Sequence, residues 1–153
     1  MATTAYSFLD VLASISGPGG NIALGQNASG VAEEGISVSY DEDKNTMTKG
    51  ADGSVMHSLH AATAGIITIR LLKTSPVNAL LSAMYEYQAQ SSANWGGNTF
   101  SVSNLQRGDE VTGQNGAFKK KPDFQNAKDG NIVEWVFDVG QIHMVIGDGI
   151  PVS

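Results

Sequence analysis

The side chains best suited to chemistry are few and scattered. His57 and His60 stand three apart, a spacing that on a helix would let both reach one metal ion. Their flanks, Ser54 to His60, read as strand, and residues three apart on a strand point to opposite faces. Shared ligation is therefore not expected, and both histidines are assigned to the surface or an interface. His143 has no partner in sequence and is assigned a structural role. Asp41, Asp43 and Asn45 match the first three ligand positions of a calcium loop, with Asp52 at the twelfth. The sixth position, where a sharp turn needs glycine, is Thr46; the twelfth lacks the bidentate Glu; and the flanks are strands. The segment reads instead as a solvated hairpin arm carrying both charge signs.

Other reactive patterns fail in the same way. Gly17-Pro18-Gly19-Gly20 lacks the Lys-Ser/Thr of a phosphate loop and precedes a strand, so it is a turn. There is no G-x-S-x-G elbow and no acidic pair in a glycosidase setting. Cysteine is absent, which removes disulfides, thiolate nucleophiles and thiolate metal sites. Lys119-Lys120-Lys121 lacks interleaved aromatics on a chain of net charge −6, too little for a nucleic-acid grip. These lysines are expected to face water or the carboxylates of a neighbouring subunit. No catalytic residue, metal or cofactor is assigned, and the chain is not expected to be an enzyme.

Elements that would position a site are easier to find. At 153 residues the chain fits one domain, 1–153, with one core. Charged residues make up 16%, against about 25% in an average soluble domain. A surface so poor in charge suggests that much of it is covered by something else. No segment reaches the roughly 18 apolar residues of a membrane-spanning helix. Asp10 interrupts the apolar stretch of an N-terminus that has no positive region, so neither insertion nor a secretory signal is expected.

Most of the pattern is β. Apolar residues alternate from Tyr6 to Ile15, at Ile36, Val38 and Tyr40, and from Ser54 to His60. They do so again at Phe100 and Val102, and at Trp135, Phe137 and Val139. Gly65 to Leu72 and Gln141 to Ile146 add further strands, and a short one lies near Asn21 to Leu24. From Gln106 to Lys128 the alternation is weak, and Gly108, Gly113 and Gly116 read as breaks. One helix is expected at 76–93, with Ser75 as N-cap and Pro76 in its first turn. Val77, Leu80, Leu81, Met84 and Tyr87 recur at helical spacing as its core face. A polar loop, 41–53, holds Asp41, Glu42, Asp43, Lys44, Lys49 and Asp52 and should project from the body. The fold class is mainly β: an antiparallel barrel or sandwich with one packed helix and a long hairpin arm.

Taken in order, Lys49-Gly50-Ala51-Asp52-Gly53-Ser54-Val55, Gly65-Ile66-Ile67-Thr68-Ile69 and Lys73-Thr74-Ser75-Pro76-Val77-Asn78-Ala79-Leu80-Leu81 resemble tail tube proteins of contractile-tailed phages. A G-x-D-G hairpin leads to a strand that ends at an S-P-x-N helix start, and Glu134-Trp135-Val136-Phe137 with Gly147 is similar to that family's closing strands. The resemblance runs from about Ser37 to Gly147. It implies a fold shared with type VI secretion tubes, six copies per ring, and inner sheets joined into one barrel. It further implies rings stacked through the long loop, a virion location after assembly in the host cytoplasm, and sheath, baseplate and terminator proteins as partners. DNA would pass through the lumen without specific binding.

A tube of that kind needs walls that do not hold phosphate, since each basic contact adds affinity. Asp10, Glu134 and Asp138 point away from the expected core on their strands and are the candidate lumen acids. The arm residues Asp41 to Asp52 are the candidate contact between rings. Two other readings stay open on sequence: the tube of a secretion or contractile injection system, and a monomeric β-rich binding module that could depend on calcium.

Overall fold

Alternation sorts the apolar side chains onto one face of nearly every strand, and that face becomes the core. The computed structural model describes residues 11–25, 31–104, 108–122, 124 and 132–147. In chain order the elements are β1 (Val11–Gly17), β2 (Gly20–Gly25), β3 (Val31–Tyr40), β4 (Asn45–Lys49) and β5 (Val55–Leu59). They continue with β6 (Gly65–Leu72), α1 (Val77–Ala89), β7 (Asn98–Asn104), β8 (Asp109–Lys120) and β9 (Ile132–Val145). Seven strands form one antiparallel sheet in the order β2-β1-β7-β8-β9-β6-β3, and β4 pairs with β5 as a separate hairpin. The fold is thus mainly β with one packed helix and a hairpin arm. Its barrel does not close among the described residues, because β2 and β3 stand at opposite ends of the sheet. Alternation reveals which side of a strand is buried, but not whether the two end strands meet.

The core lies between this sheet and α1. Ile15, Ile67, Ile69, Leu71, Phe137 and Val139 are almost fully buried, with Leu81 and Met84 from the helix. Aromatic rings run through it edge to face: Phe100 to Phe137 at 5.0 Å and Phe118 to Trp135 at 5.9 Å between centroids. Tyr85 of α1 joins the chain of rings at 5.5 Å from Phe118. Such pairs add about 0.5–1.5 kcal/mol each beyond simple burial.

The segment expected to be broken by glycines is in fact the 12-residue strand β8. Two of its glycines make room for side chains of the core, Gly116 for a ring and Gly113 for aliphatic groups. A Cβ on Gly116 would lie 2.2 Å from Cε2 of Phe100, and one on Gly113 would lie 3.0 Å from Cγ1 of Val139. The third device is Asn115, at φ +57°, which lies against Gly140 between the pairs Gln114–Gln141 and Gly116–Val139. At that point both strands exchange faces, so Ile142 rather than Gln141 or His143 is buried beyond it. The two expected strands on either side of Gly140 are therefore one, β9.

Helix α1 starts at Val77, one residue later than expected, with Pro76 and not Ser75 at its N-cap. Pro76 already has helical angles, and the Ser75 hydroxyl accepts a hydrogen bond from the Val77 N–H at 3.3 Å. It ends at Ala89, short of the expected 93. There the Ser91 hydroxyl accepts the Ala93 N–H, and Asn94 and Trp95 bond back to Ser91 and Ser92 in turns. The core face also needs correction. Val77, Leu81, Met84 and Gln88 are buried, whereas Leu80 is 53% and Tyr87 48% exposed. At 100° per residue Leu80 and Tyr87 fall on the flank of the buried stripe. Gln88 replaces them: its amide exchanges hydrogen bonds of 2.8 and 3.1 Å with Asn98 and donates to the Pro18 carbonyl at 2.8 Å. A fully paired buried amide thus ties α1 to β7 and to the turn after β1.

Two mutations test this packing. Leu81→Ala should destabilise by about 2–5 kcal/mol, while Leu80→Ala should stay within about 0.5 kcal/mol, both read from urea unfolding midpoints. Gly116→Ala should cost about 1–3 kcal/mol by pushing Phe100 off its rotamer, visible in the same titration and as altered near-ultraviolet circular dichroism.

Candidate assembly surfaces

Each strand that buries one face leaves the other to be accounted for. On the second face of the large sheet the register aligns Ser14, Ser101, Thr112 and His143 in one row. Ser39, Ile66, Asp138 and Ala117 form another. Serine, threonine and glutamine are frequent, the carboxylates among the described side chains are Glu110, Glu134 and Asp138, and Lys120, in register with Val136, adds one ammonium at the end of β8. Glu134 is not a bare charge. Its carboxylate lies 3.3 Å from Nε of Arg70, directly across from it on β6, and Arg70 also donates to the Ser37 hydroxyl. Asp138 is exposed, and its carboxylate has no salt bridge or hydrogen bond among the described residues. Asp10, the third candidate lumen acid, lies outside the described residues. His143 belongs to this exposed face and takes no part in the core.

The second surface is the arm. The expected loop 41–53 contains only the first strand and turn of a hairpin whose other half is β5. Its tip, Gly50 to Ser54, is tied by Asp52, whose carboxylate accepts hydrogen bonds from the Ser54 hydroxyl (2.6 Å) and N–H (3.0 Å). These bonds, the hydroxyl first, hold the Asp52 carboxyl below its ordinary range. Its base is tied as well. The Asp41 N–H donates to Ala64, the Ile142 N–H to Thr63, and the Tyr40 hydroxyl to the Ile142 carbonyl. Asp41, Glu42, Asp43, Lys44, Lys49 and Asp52 are all exposed.

The histidines diverge as the strand spacing requires. Asn45 Nδ2 donates to His57 Nδ1 at 3.1 Å on one side of the hairpin, and His60 Nε2 meets Thr46 Oγ1 at 2.7 Å on the other. No three His, Cys, Asp or Glu side chains converge as a metal site among the described residues. What sequence reasoning missed is apolar. Met47, Val55 and Leu59 share the His57 side of the hairpin, and are 49%, 51% and 81% exposed. Alternation within β4 and β5 carries that signal, but an arm defined by its charges hides it.

The third surface is the lysine run. Lys121, just past β8, pairs with Glu86 of α1 and lies 5.4 Å over the ring of Tyr85. One of the three lysines expected to face water or a neighbour is thus engaged within the chain. Beside it a groove of about 690 Å³ opens between α1, the end of β8 and the start of β9. No helix among the described residues is long and apolar enough to cross a membrane.

These surfaces contain hydrogen-bonding walls, strand edges and apolar patches, but no group poised for bond making. The fold has relatives among solved structures. The anti-feeding prophage cap, a tube-terminating cap, superposes with a TM-score of 0.55 at 11% identity, over 96% of this chain and 95% of that one. The sheath–tube complex of PVC, an extracellular contractile injection system, in its extended state gives 0.52 at 15% identity, over 88% of each chain. The anti-feeding prophage baseplate gives 0.52 at 10% identity, over 95% of this chain and 97% of that one. At these identities the likeness is one of fold. Among curated proteins none matches the chain. A family model described as Bacteriophage PhiTE tail tube protein matches residues 1–147, nearly the whole sequence. The chain belongs to that tail tube family, and is a non-catalytic, tube-forming structural subunit of a phage-tail-like assembly.

Proposed function

We propose that the chain forms rings of six copies that stack into the tail tube of a phage virion, through which DNA is ejected into the host. The whole chain, 1–153, acts as one tube domain in this reading. The observation that carries it is the second face of the seven-stranded sheet. That face is rich in hydroxyls and amides, its arginine is paired to Glu134, and Asp138 adds negative charge. A wall of this kind hydrogen-bonds water and gives phosphates little to hold. Strands β2 and β3, each paired on one side only among the described residues, supply edges through which neighbouring copies join into a continuous sheet. The six-fold symmetry of the similar anti-feeding prophage baseplate supports six copies. Sheath, baseplate and terminator proteins are the partners, because the similar chains come from a sheath–tube complex, a baseplate and a tube cap. Assembly takes place in the host cytoplasm and the product resides in the virion.

A second reading, the tube of a contractile injection system that delivers proteins, is favoured by the fold likeness to the PVC and anti-feeding prophage structures. The free monomeric module has no comparable support. Electron microscopy of purified protein should show rings and tubes; only isolated 16.0 kDa particles at high concentration would refute both tube readings. Particles released from producing cells then separate the two by their cargo, nuclease-protected DNA for the first and protein for the second.

The wall itself is testable. Glu134→Lys with Asp138→Lys should leave rings intact and make the lumen retain DNA. Retention should fall steeply with salt, with log affinity declining by roughly 0.7–0.9 per phosphate contact per log unit of salt. Normal ejection rates from particles carrying both substitutions would show that this face does not meet the genome.

A further inference from the structure

The apolar side of the hairpin and the lysine groove lie at opposite ends of the same strand. The hairpin enters the sheet at Gly65, the first residue of β6, and the groove opens beside Lys73, just past its last residue Leu72. At a rise of about 3.3 Å per residue these ends are roughly 23 Å apart. β9 repeats the arrangement in the opposite direction. Its first residue, Ile132, borders the groove, while Ile142 near its other end anchors the arm through Thr63 and Tyr40.

The two surfaces are also complementary in chemistry. The arm begins with Asp41, Glu42 and Asp43 and then exposes Met47, Val55 and Leu59 on one side. The groove gathers Lys73, Lys120 and Lys121, three of the nine basic residues of an acidic chain, around Pro122, Ile132 and Trp135. Its own acids are already engaged: Glu134 by Arg70, and the adjacent Glu86 by Lys121. Its floor is fixed by the Trp135 indole, which donates to Asn78 Oδ1 at 3.0 Å. Lys73, half-buried, lies over the Phe124 ring at 5.2 Å and Lys120 is exposed, and neither has a carboxylate partner among the described residues.

We propose that the lysine groove is the receptor for the hairpin arm of a second copy in the next ring, with Asp41 and Asp43 meeting Lys73 and Lys120. This rests on the stacked-ring reading above and names the two surfaces that meet. Because the arm and its receptor occupy opposite ends of one sheet, the contact is head to tail and leaves a new arm and a new groove free after each addition. Such an interface propagates without closing, as a tube requires. The apolar side of the arm supplies burial, and the charges set orientation and reject the wrong register.

Charge exchange tests it on the full-length chain. One variant carries Lys73→Glu with Lys120→Glu, another Asp41→Lys with Asp43→Lys, and a third carries all four. Circular dichroism checks that each keeps its sheet. Either pair of reversals should raise the protein concentration needed for sedimentable tubes by about tenfold or more at low salt. The fourfold variant should recover most of that loss. Wild-type-like tubes from both pairs, or a fourfold variant no better than the pairs, would overturn the proposal while wild-type tubes still stand. A wild-type chain that forms neither rings nor tubes would instead overturn the stacked-ring reading on which it rests.

Discussion

One helix has to cover the buried face of seven strands. Laid flat at about 4.8 Å per strand, the sheet would be roughly 34 Å wide, against a helix about 10–12 Å across. A single α1 cannot shield that width, so side chains of the sheet must fill the space on either side of it. The row Phe100, Phe137, Phe118 and Trp135 does this, and the Phe100 ring fits because Gly116 leaves room on β8, as Gly113 does for Val139 and Ile67. Bulk on one strand is matched by its absence on the next. The face switch at Asn115 and Gly140 follows from the same need, since it turns Ile142 inward beyond the point where Val139 ends the first buried run.

That arrangement explains which parts of the fold were legible in the sequence. Strand β6 runs over the expected residues because its apolar content is continuous and its ends carry Gly65 and the turn before Ser75. The helix start was legible to within one residue because capping is local chemistry. Strand β8 was not, because a glycine that receives a neighbour's ring looks the same in sequence as one that breaks a strand. Gln88 was missed for a related reason. A buried amide is invisible to a hydrophobic pattern until its partners, Asn98 and the Pro18 carbonyl, are seen in space. Leu80 shows the opposite error: an apolar residue at helical spacing was placed in the core although the stripe is narrower than the pattern.

The candidate surfaces divide along the same line. The acids at Glu134 and Asp138 were legible as outward-facing because alternation around Trp135 and Phe137 is strict. That Glu134 spends its charge on Arg70 was not, because the pairing depends on the register between β6 and β9. The arm was legible as charged and exposed. Its apolar side was not, because β4 and β5 acquire a common face only once they are paired.

The hairpin raises the last physical question, which is why it persists at all. A two-stranded ribbon is marginal in water by itself, and nearly every residue from Asp41 to Leu59 is exposed. Bonds at its tip and base fix its shape: Asp52 to Ser54 at one end, Asp41 to Ala64 at the other. They do not cover Met47, Val55 and Leu59. A chain with only 16% charged residues has little with which to keep such a side soluble. Burial against another copy, as proposed above, would remove the exposed apolar area and give the hairpin the third layer of contact it lacks. The same subunit leaves β2 and β3 open at the sides of the sheet. The strand edges would join copies within a ring and the arm would join one ring to the next, so the uncovered surfaces have the arrangement that a stacked tube requires.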